Sequence, residues 1–214
     1  MGRLRLALAC ALLSTSSGCS VALLGASLEP PRAAPVSVSR VAWLAPVQVT
    51  DAQIADRNDL ERTLAPVIAT YTQDAKYFPR VNLLPGHPAD GDVVLHFEFD
   101  QYQLQRQPPP AAFAAGPLFL FGLYGLYEDF GGPVDRDVAM LSGGLRIEDS
   151  AGNALAESRG HFEDTHDVSV YSMDHVFPNS MKARTDLVRA LLDDAVGQLA
   201  RTGATGAPAP GSGA

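Results

Sequence analysis

The sequence predicts an α+β fold in which a small, mostly antiparallel sheet carries two helices packed on one face. Extended apolar segments occur at residues 40–49, 78–84 and 92–104, and a tight-turn signal stands at 149–153. Apolar residues recur at helical spacing in two places, after residue 58 and after residue 178. Because strand and helix patterns do not alternate regularly, we do not expect helices on both faces of the sheet.

The first 18 residues have the pattern of an export signal. Arg3 and Arg5 precede an apolar stretch at 4–13, which is shorter than the ~20 residues of a transmembrane helix, and small residues then lead to Cys19. This pattern resembles the lipobox of bacterial lipoproteins, in which cleavage before the cysteine lets it take acyl chains. The resemblance implies a signal peptide at 1–18 and lipid attachment at Cys19; a secreted protein cleaved nearby is the alternative.

Composition limits the partners and the chemistry of the mature chain. The formal net charge of −8 becomes −10 once Arg3 and Arg5 are removed, and the remaining lysines and arginines form no cluster, so nucleic acid is not an expected partner. Cys10 leaves with the signal and Cys19 would be acylated, so no thiol remains for a disulfide or a nucleophile. No cofactor is predicted.

The mature chain is predicted to contain one domain between flexible ends. Residues 19–35, rich in Ala, Pro and Ser, are expected to form a tether, and residues 201–214 a disordered tail. The single domain then spans 36–200. Its first strand, at 40–49, is weakened at its far end by Pro46, and Trp43 in this strand is expected in the core.

The elements that follow have recognisable boundaries. A helix after residue 58 contains Pro66 and is expected to kink there. The strand at 92–104 alternates until Tyr102 and Leu104 break the pattern, which a bulge or the edge of the sheet would accommodate. Gly and Asn in 149–153 predict a tight hairpin loop. A last helix, to about residue 200, presents one apolar face, formed by Leu187, Val188, Leu191, Leu192, Ala195 and Leu199.

The order of these elements resembles a known group of envelope proteins. A strand containing Phe78-Pro79-Arg80-Val81 follows the first helix, and Ala89-Asp90-Gly91-Asp92-Val93-Val94 opens the next strand. Over about 36–200 this order is similar to periplasmic lipoprotein domains related to the TolB amino-terminal domain, CsgG and LpoB. The resemblance implies a protein that acts by contact with envelope proteins or with its own copies, and it carries over no functional residue.

One cluster of side chains could bind a divalent metal. His161, Glu163 and His166 combine imidazole with carboxylate, the donors that zinc prefers, and would serve a metal-dependent periplasmic enzyme. On a strand His161 and Glu163 share a face while His166 points away. Without an accompanying motif such as HExxH, a solvated strand face is the favoured interpretation, and an enzyme is not expected.

The stretch 107–127 carries no charged side chain, and residues 113–127 contain five aromatic residues. It is too short and too interrupted by glycine and proline to cross a bilayer as a helix. It could complete the core, but contact with a protein partner or a second copy is the favoured hypothesis, ahead of lipid. The residues expected to make this contact are Phe113, Leu118, Phe119, Phe121, Tyr124 and Tyr127.

Together these features predict a non-catalytic lipoprotein that works by protein contact in envelope assembly, maintenance or secretion. Ser20 follows the acylated cysteine, and under the sorting rule known for some enteric bacteria a residue other than Asp there permits delivery to the outer membrane. The expected location is therefore the periplasmic face of the outer membrane, with attachment through acyl chains.

Overall fold

A computed structural model of the protein describes residues 21–22, 25–107, 129–130, 132–169 and 176–205. Within these residues, seven strands and two helices follow one another along the chain. They are β1 (Val21–Ala22), β2 (Ala42–Leu44), β3 (Gln48–Val49), α1 (Arg57–Asp74), β4 (Val81–Leu83), β5 (Val93–Gln107), β6 (Pro133–Asp149), β7 (Ala154–Ser169) and α2 (Val176–Thr205).

The strands join in one mixed sheet, so the fold is α+β as predicted. The described strands lie in the order β4-β2-β5-β6-β7, with β1 and β3 also paired to β5. The long strands β5, β6 and β7 are antiparallel neighbours, whereas β2 is parallel to both β4 and β5, and β3 is parallel to β5. The sheet is therefore not purely antiparallel, because α1 connects β2 to a parallel neighbour.

Three short strands pair with the edge of β5 that does not pair with β6. Strand β2 pairs with residues 93–95, β3 with 98–99, and β1 with 105–106. Pro46 lies between β2 and β3, which explains why the predicted strand at 40–49 is divided. Between the parts of β5 that pair with β3 and with β1, no strand lies beside Tyr102. There the Asp51 carboxylate accepts the Tyr102 backbone N–H at 2.9 Å, so a side chain takes the place of a strand.

A bulge in β5 keeps its apolar residues on one face. The register with β6 shifts between Phe99 and Gln101, and the residues buried on either side of the shift are Phe97 and Phe99, then Tyr102 and Leu104. Of the two explanations offered for the broken alternation, the bulge is the one that the structure shows. Across it, Phe99 and Tyr102 form an edge-to-face pair with ring centroids 5.7 Å apart.

Both described helices contribute to the single core under one face of the sheet. In α1 the buried positions include Leu60, Leu64 and Ile68, and the helix continues through Pro66. The apolar face predicted for the last helix is confirmed, because all six of its residues are buried. The Tyr77 hydroxyl donates a hydrogen bond to Asp193 of α2, which links that helix to the chain just after α1.

Trp43 was expected in the core, but the structure places it on the other face of the sheet. Its neighbours Ala42 and Leu44 are fully buried beneath the helices, and alternation in a strand therefore turns Trp43 to the other face. There its indole N–H donates to Asp92 Oδ2 at 2.9 Å.

The predicted hairpin loop is confirmed: Gly152 has a φ of +87°, and the Asp149 carboxylate accepts backbone N–H groups of Ala151 and Asn153.

The segment expected as a flexible tether instead lies along the domain from residue 25 onward. Ala26 is buried, the Ala34 N–H donates to the Ala75 carbonyl at 2.8 Å, and the Val38 N–H donates to the Tyr77 carbonyl at 2.9 Å. A Pro- and Ala-rich chain without periodicity can still dock when its backbone groups find partners on other elements. None of the described helices is long and apolar enough to span a membrane.

Candidate functional site

The face of the sheet opposite the helices is open and polar. Alternation along β5, β6 and β7 places the apolar residues under the helices and leaves the intervening residues on this open face. A shallow depression of about 310 Å³ lies on it. Its charged and imidazole-bearing residues are His96, Glu98, Arg146, Glu148, Glu157 and Arg159.

Ion pairs connect the side chains of the open face across three strands. His96 Nε2 of β5 lies 3.1 Å from a Glu148 oxygen, and Arg146 Nη2 lies 2.8 Å from the other oxygen of Glu148. Arg146 also lies 3.7 Å from Glu157 of β7. Glu148 is only 18% exposed, whereas Arg146 and Glu157 are 49% and 68% exposed. Ion pairs at an exposed surface contribute little to stability, and their charges can complement those of a partner. The arrangement therefore suits a contact surface.

The predicted metal-binding residues do not converge. His161 and Glu163 share the open face with a 3.8 Å separation, and their side chains are 57% and 66% exposed. His166 lies on the opposite face, near Asp137 and Ser180. Within the ranges that the structure describes, no group of three His, Cys, Asp or Glu side chains is placed to hold a metal ion.

The remaining sequence-predicted residues lie outside the described part of the chain. This applies to Cys19 and to all six residues of the apolar stretch, namely Phe113, Leu118, Phe119, Phe121, Tyr124 and Tyr127. Their expected roles stay predictions. The structure does place both flanks of that stretch at one end of the sheet, because Gln107 at the end of β5 pairs with Arg136 near the start of β6.

This end of the sheet, which we call the distal end, carries internally paired charges. Arg106 donates to both oxygens of Asp137 at 2.9 and 3.1 Å and lies 3.8 Å from Asp135. Burial raises the pKa of the Asp135 carboxyl, against the opposing charge of Arg106. On the other face, the Arg136 guanidinium binds Asp167 in a two-pronged pair and lowers the pKa of that carboxyl.

A second feature is the attachment of the N-terminal segment, which we call the N-terminal clamp: β1 together with the contacts of residues 25–29. The Tyr102 hydroxyl donates to the Gly25 carbonyl at 2.9 Å, and Arg184 Nε donates to the Ser27 carbonyl at 3.1 Å. The Glu29 N–H donates to Thr185 Oγ1 at 2.8 Å. These contacts fix the start of the domain on β5 and α2.

Arg184 is the unusual member of the clamp. It is only 5% exposed, and its Nη1 has no hydrogen-bond partner among the described residues. Burial lowers the pKa of its guanidinium, and the Tyr102 hydroxyl partly offsets that effect. A charged residue inside the apolar pattern of α2 is the sequence signal that could have revealed it, but nothing in the sequence names its partner.

Comparison with known proteins gives similarity of structure only. No protein-family model matches the sequence, and no curated protein matches it. A solved protein of the family DUF330 from Xanthomonas campestris is 11% identical, with 85% of this chain and 97% of that chain covered and a TM-score of 0.48. A PelC dodecamer from Paraburkholderia phytofirmans is 8% identical, with 83% and 99% covered and a TM-score of 0.41.

The similar structures also include lipoproteins. One is a minor lipoprotein from Acinetobacter baumannii, which is 17% identical, with 78% of this chain and 92% of that chain covered and a TM-score of 0.31. At such identities and TM-scores these similarities assign no function to this chain. They also do not confirm the narrower resemblance to the TolB, CsgG and LpoB domains.

Proposed function

We propose that this protein is a non-catalytic lipoprotein, anchored through acyl chains on Cys19 to the periplasmic face of the outer membrane, and that it acts by contact with envelope proteins or its own copies. The observation that carries the proposal is the N-terminal pattern of Arg3 and Arg5, a short apolar stretch at 4–13, small residues and Cys19. Covalent lipids supply membrane affinity that the acidic domain would not gain from anionic headgroups.

The open face supports a role in contact. It presents the charged side chains of Arg146, Glu148 and Glu157, with the His96 imidazole beside Glu148, in a shallow depression, and the charged groups can meet complementary charges on a partner. The alternative function, a metal-dependent enzyme using His161, Glu163 and His166, needs these side chains to converge. Their placement on two faces of β7 argues against that.

Replacement of the anchoring residue tests the proposal. We expect Cys19→Ala to abolish incorporation of labelled palmitate and to move the protein from the membrane to the soluble periplasmic fraction, because no other residue would carry lipid. Cys10→Ala is the matched control, since that cysteine leaves with the signal peptide, and it should behave as wild type. Unlabelled wild-type protein, or membrane retention of the Cys19→Ala variant, would contradict the anchor.

Sorting and contact need separate measurements. We expect Ser20→Asp to shift the protein to the inner membrane in density-gradient fractions.

A photoactivatable crosslinker at Arg159, on the open face, should give discrete crosslinked products in intact cells, whereas the same group at Arg62, an exposed residue of α1, should not. Equal products from both positions would argue against the open face as the contact surface. Stoichiometric metal in the purified protein would favour the enzyme.

A further inference from the structure

The clamp leaves almost no free chain between the proposed lipid and the sheet. Val21 pairs with Arg106 and Ala22 with Gln105, so only Ser20 separates Cys19 from a hydrogen-bonded strand. Two residue steps reach at most ~7 Å, whereas a free tether from Cys19 to residue 36 would reach ~60 Å at full extension. An acylated Cys19 would therefore stand directly beside the distal end of the sheet.

An exposed aromatic residue lies at the same end. Phe130 is 89% exposed, and it precedes Pro133, the first residue of β6, by three positions, within ~11 Å by chain length. Leu83, the other exposed large apolar residue among those described, lies at the opposite end of the sheet, where β4 is joined through β2 to the start of β5. Along β5 the two ends are ~40 Å apart.

The charges of the distal end are also compatible with close approach to a bilayer. Arg106 is paired with Asp135 and Asp137, and Arg136 with Asp167, so every one of these five groups has an opposite charge beside it, and only one negative charge remains in excess. A membrane that approaches this end therefore does not dehydrate an unpaired charge among these groups. An exposed apolar ring such as that of Phe130 gains free energy when it leaves water and enters the boundary between headgroups and acyl chains.

We propose that the distal end is a membrane-contacting surface: the clamp holds the domain upright on the bilayer with Phe130 in the lipid interface and the opposite end, with Leu83, directed into the periplasm. This inference rests on the proposed acylation of Cys19. Under this proposal the domain is not loosely tethered to the lipid but held in a fixed orientation, with the long axis of β5 directed away from the membrane.

The two exposed apolar residues allow a matched test in the full-length acylated protein. After acylation the mature chain has no other thiol, so Phe130→Cys and Leu83→Cys can each be labelled with a fluorescent maleimide. Each labelled protein is reconstituted into vesicles of phosphatidylethanolamine and phosphatidylglycerol, with and without spin-labelled phosphatidylcholine as quencher. We expect emission from position 130 to fall by about half or more and emission from position 83 to stay unchanged.

A linker variant separates orientation from simple proximity. A long Gly/Ser insertion between Cys19 and Ser20 moves the lipid away from β1, and we expect it to remove most of the quenching at position 130. Equal quenching at both positions, or none at position 130 in protein whose acyl chains are verified by mass, overturns the fixed orientation. Protein without acyl chains contradicts the proposed function itself, and the orientation fails with it.

Discussion

The indole N–H of Trp43 donates to Asp92 Oδ2 at 2.9 Å and joins β2 to the turn that opens β5. The same carboxylate oxygen accepts the Ala89 N–H at 2.9 Å. The hydrogen bond from Trp43, followed by that from Ala89, lowers the pKa of Asp92 below its ordinary value. Gly86 lies against the indole so closely that a Cβ there would stand 2.0 Å from Cζ3. The ring is therefore held on two sides.

Acid should release this indole before the domain unfolds. Because the folded-state pKa of Asp92 is lowered, its contribution to stability is present above the ordinary aspartate pKa of ~3.9 and is lost as pH falls through the lowered value. Trp43 is the single tryptophan, so intrinsic fluorescence reports the change directly. We expect Asp92→Asn, which keeps an acceptor but cannot titrate, to remove the acid transition. An unchanged transition in that variant would assign it to other groups.

Alkaline pH should destabilise the domain through Tyr102. Burial raises the pKa of its hydroxyl to about 12, and the Arg184 guanidinium opposes the shift. Stability is therefore complete below the unfolded value of ~10 and falls as pH rises toward 12, by roughly 3 kcal/mol for this residue. Denaturant unfolding between pH 9 and pH 12 measures the slope. Tyr102→Phe should reduce the slope, while Tyr71 and Tyr77, whose pKa values burial also raises, keep a share of it. Parallel curves for both proteins would refute the assignment.

The close crossing at the β5 bulge makes Gly143 sensitive to substitution. A Cβ there would lie 2.4 Å from the Glu98 carbonyl oxygen, and backbone cannot yield without disturbing the ladder. We expect Gly143→Ala to cost about 1–3 kcal/mol in the free energy of unfolding. Gly160→Ala is the matched control, since its Cβ would meet side-chain carbons of Leu187 and Leu191, the nearest a Leu187 methyl at 2.9 Å, which can move. A larger loss at Gly160 would contradict this account.

Local signals were sufficient for three features of the domain. The turn chemistry at Asp149 and Gly152, the broken alternation at Tyr102 and the apolar face of α2 each depend on neighbours in sequence, and each prediction was confirmed. The failures involve distant contacts. Trp43 has an apolar, aromatic side chain that suits a core, but its face is decided by the burial of Ala42 and Leu44 beneath helices.

The N-terminal clamp shows the same limit for the candidate site. Periodicity cannot reveal that a Pro- and Ala-rich segment binds Arg184 and Thr185, because its contacts use backbone groups. The lipobox resemblance and the separation of His161 from His166 could be read from the sequence, since the first is a linear motif and the second follows from alternation. The ion-pair network of the open face required the register of three strands.

The clamp also sets an order of events during biogenesis. Ser27 and Glu29 bind residues that lie 157 and 156 positions further along the chain, so these two contacts of the clamp cannot form until the last helix has been delivered. If the protein is exported from its N-terminus, as proposed, the clamp would therefore stay incomplete until α2 has crossed the membrane. Cleavage and acylation would precede docking, and completion of α2 would then withdraw that segment from the processing enzymes.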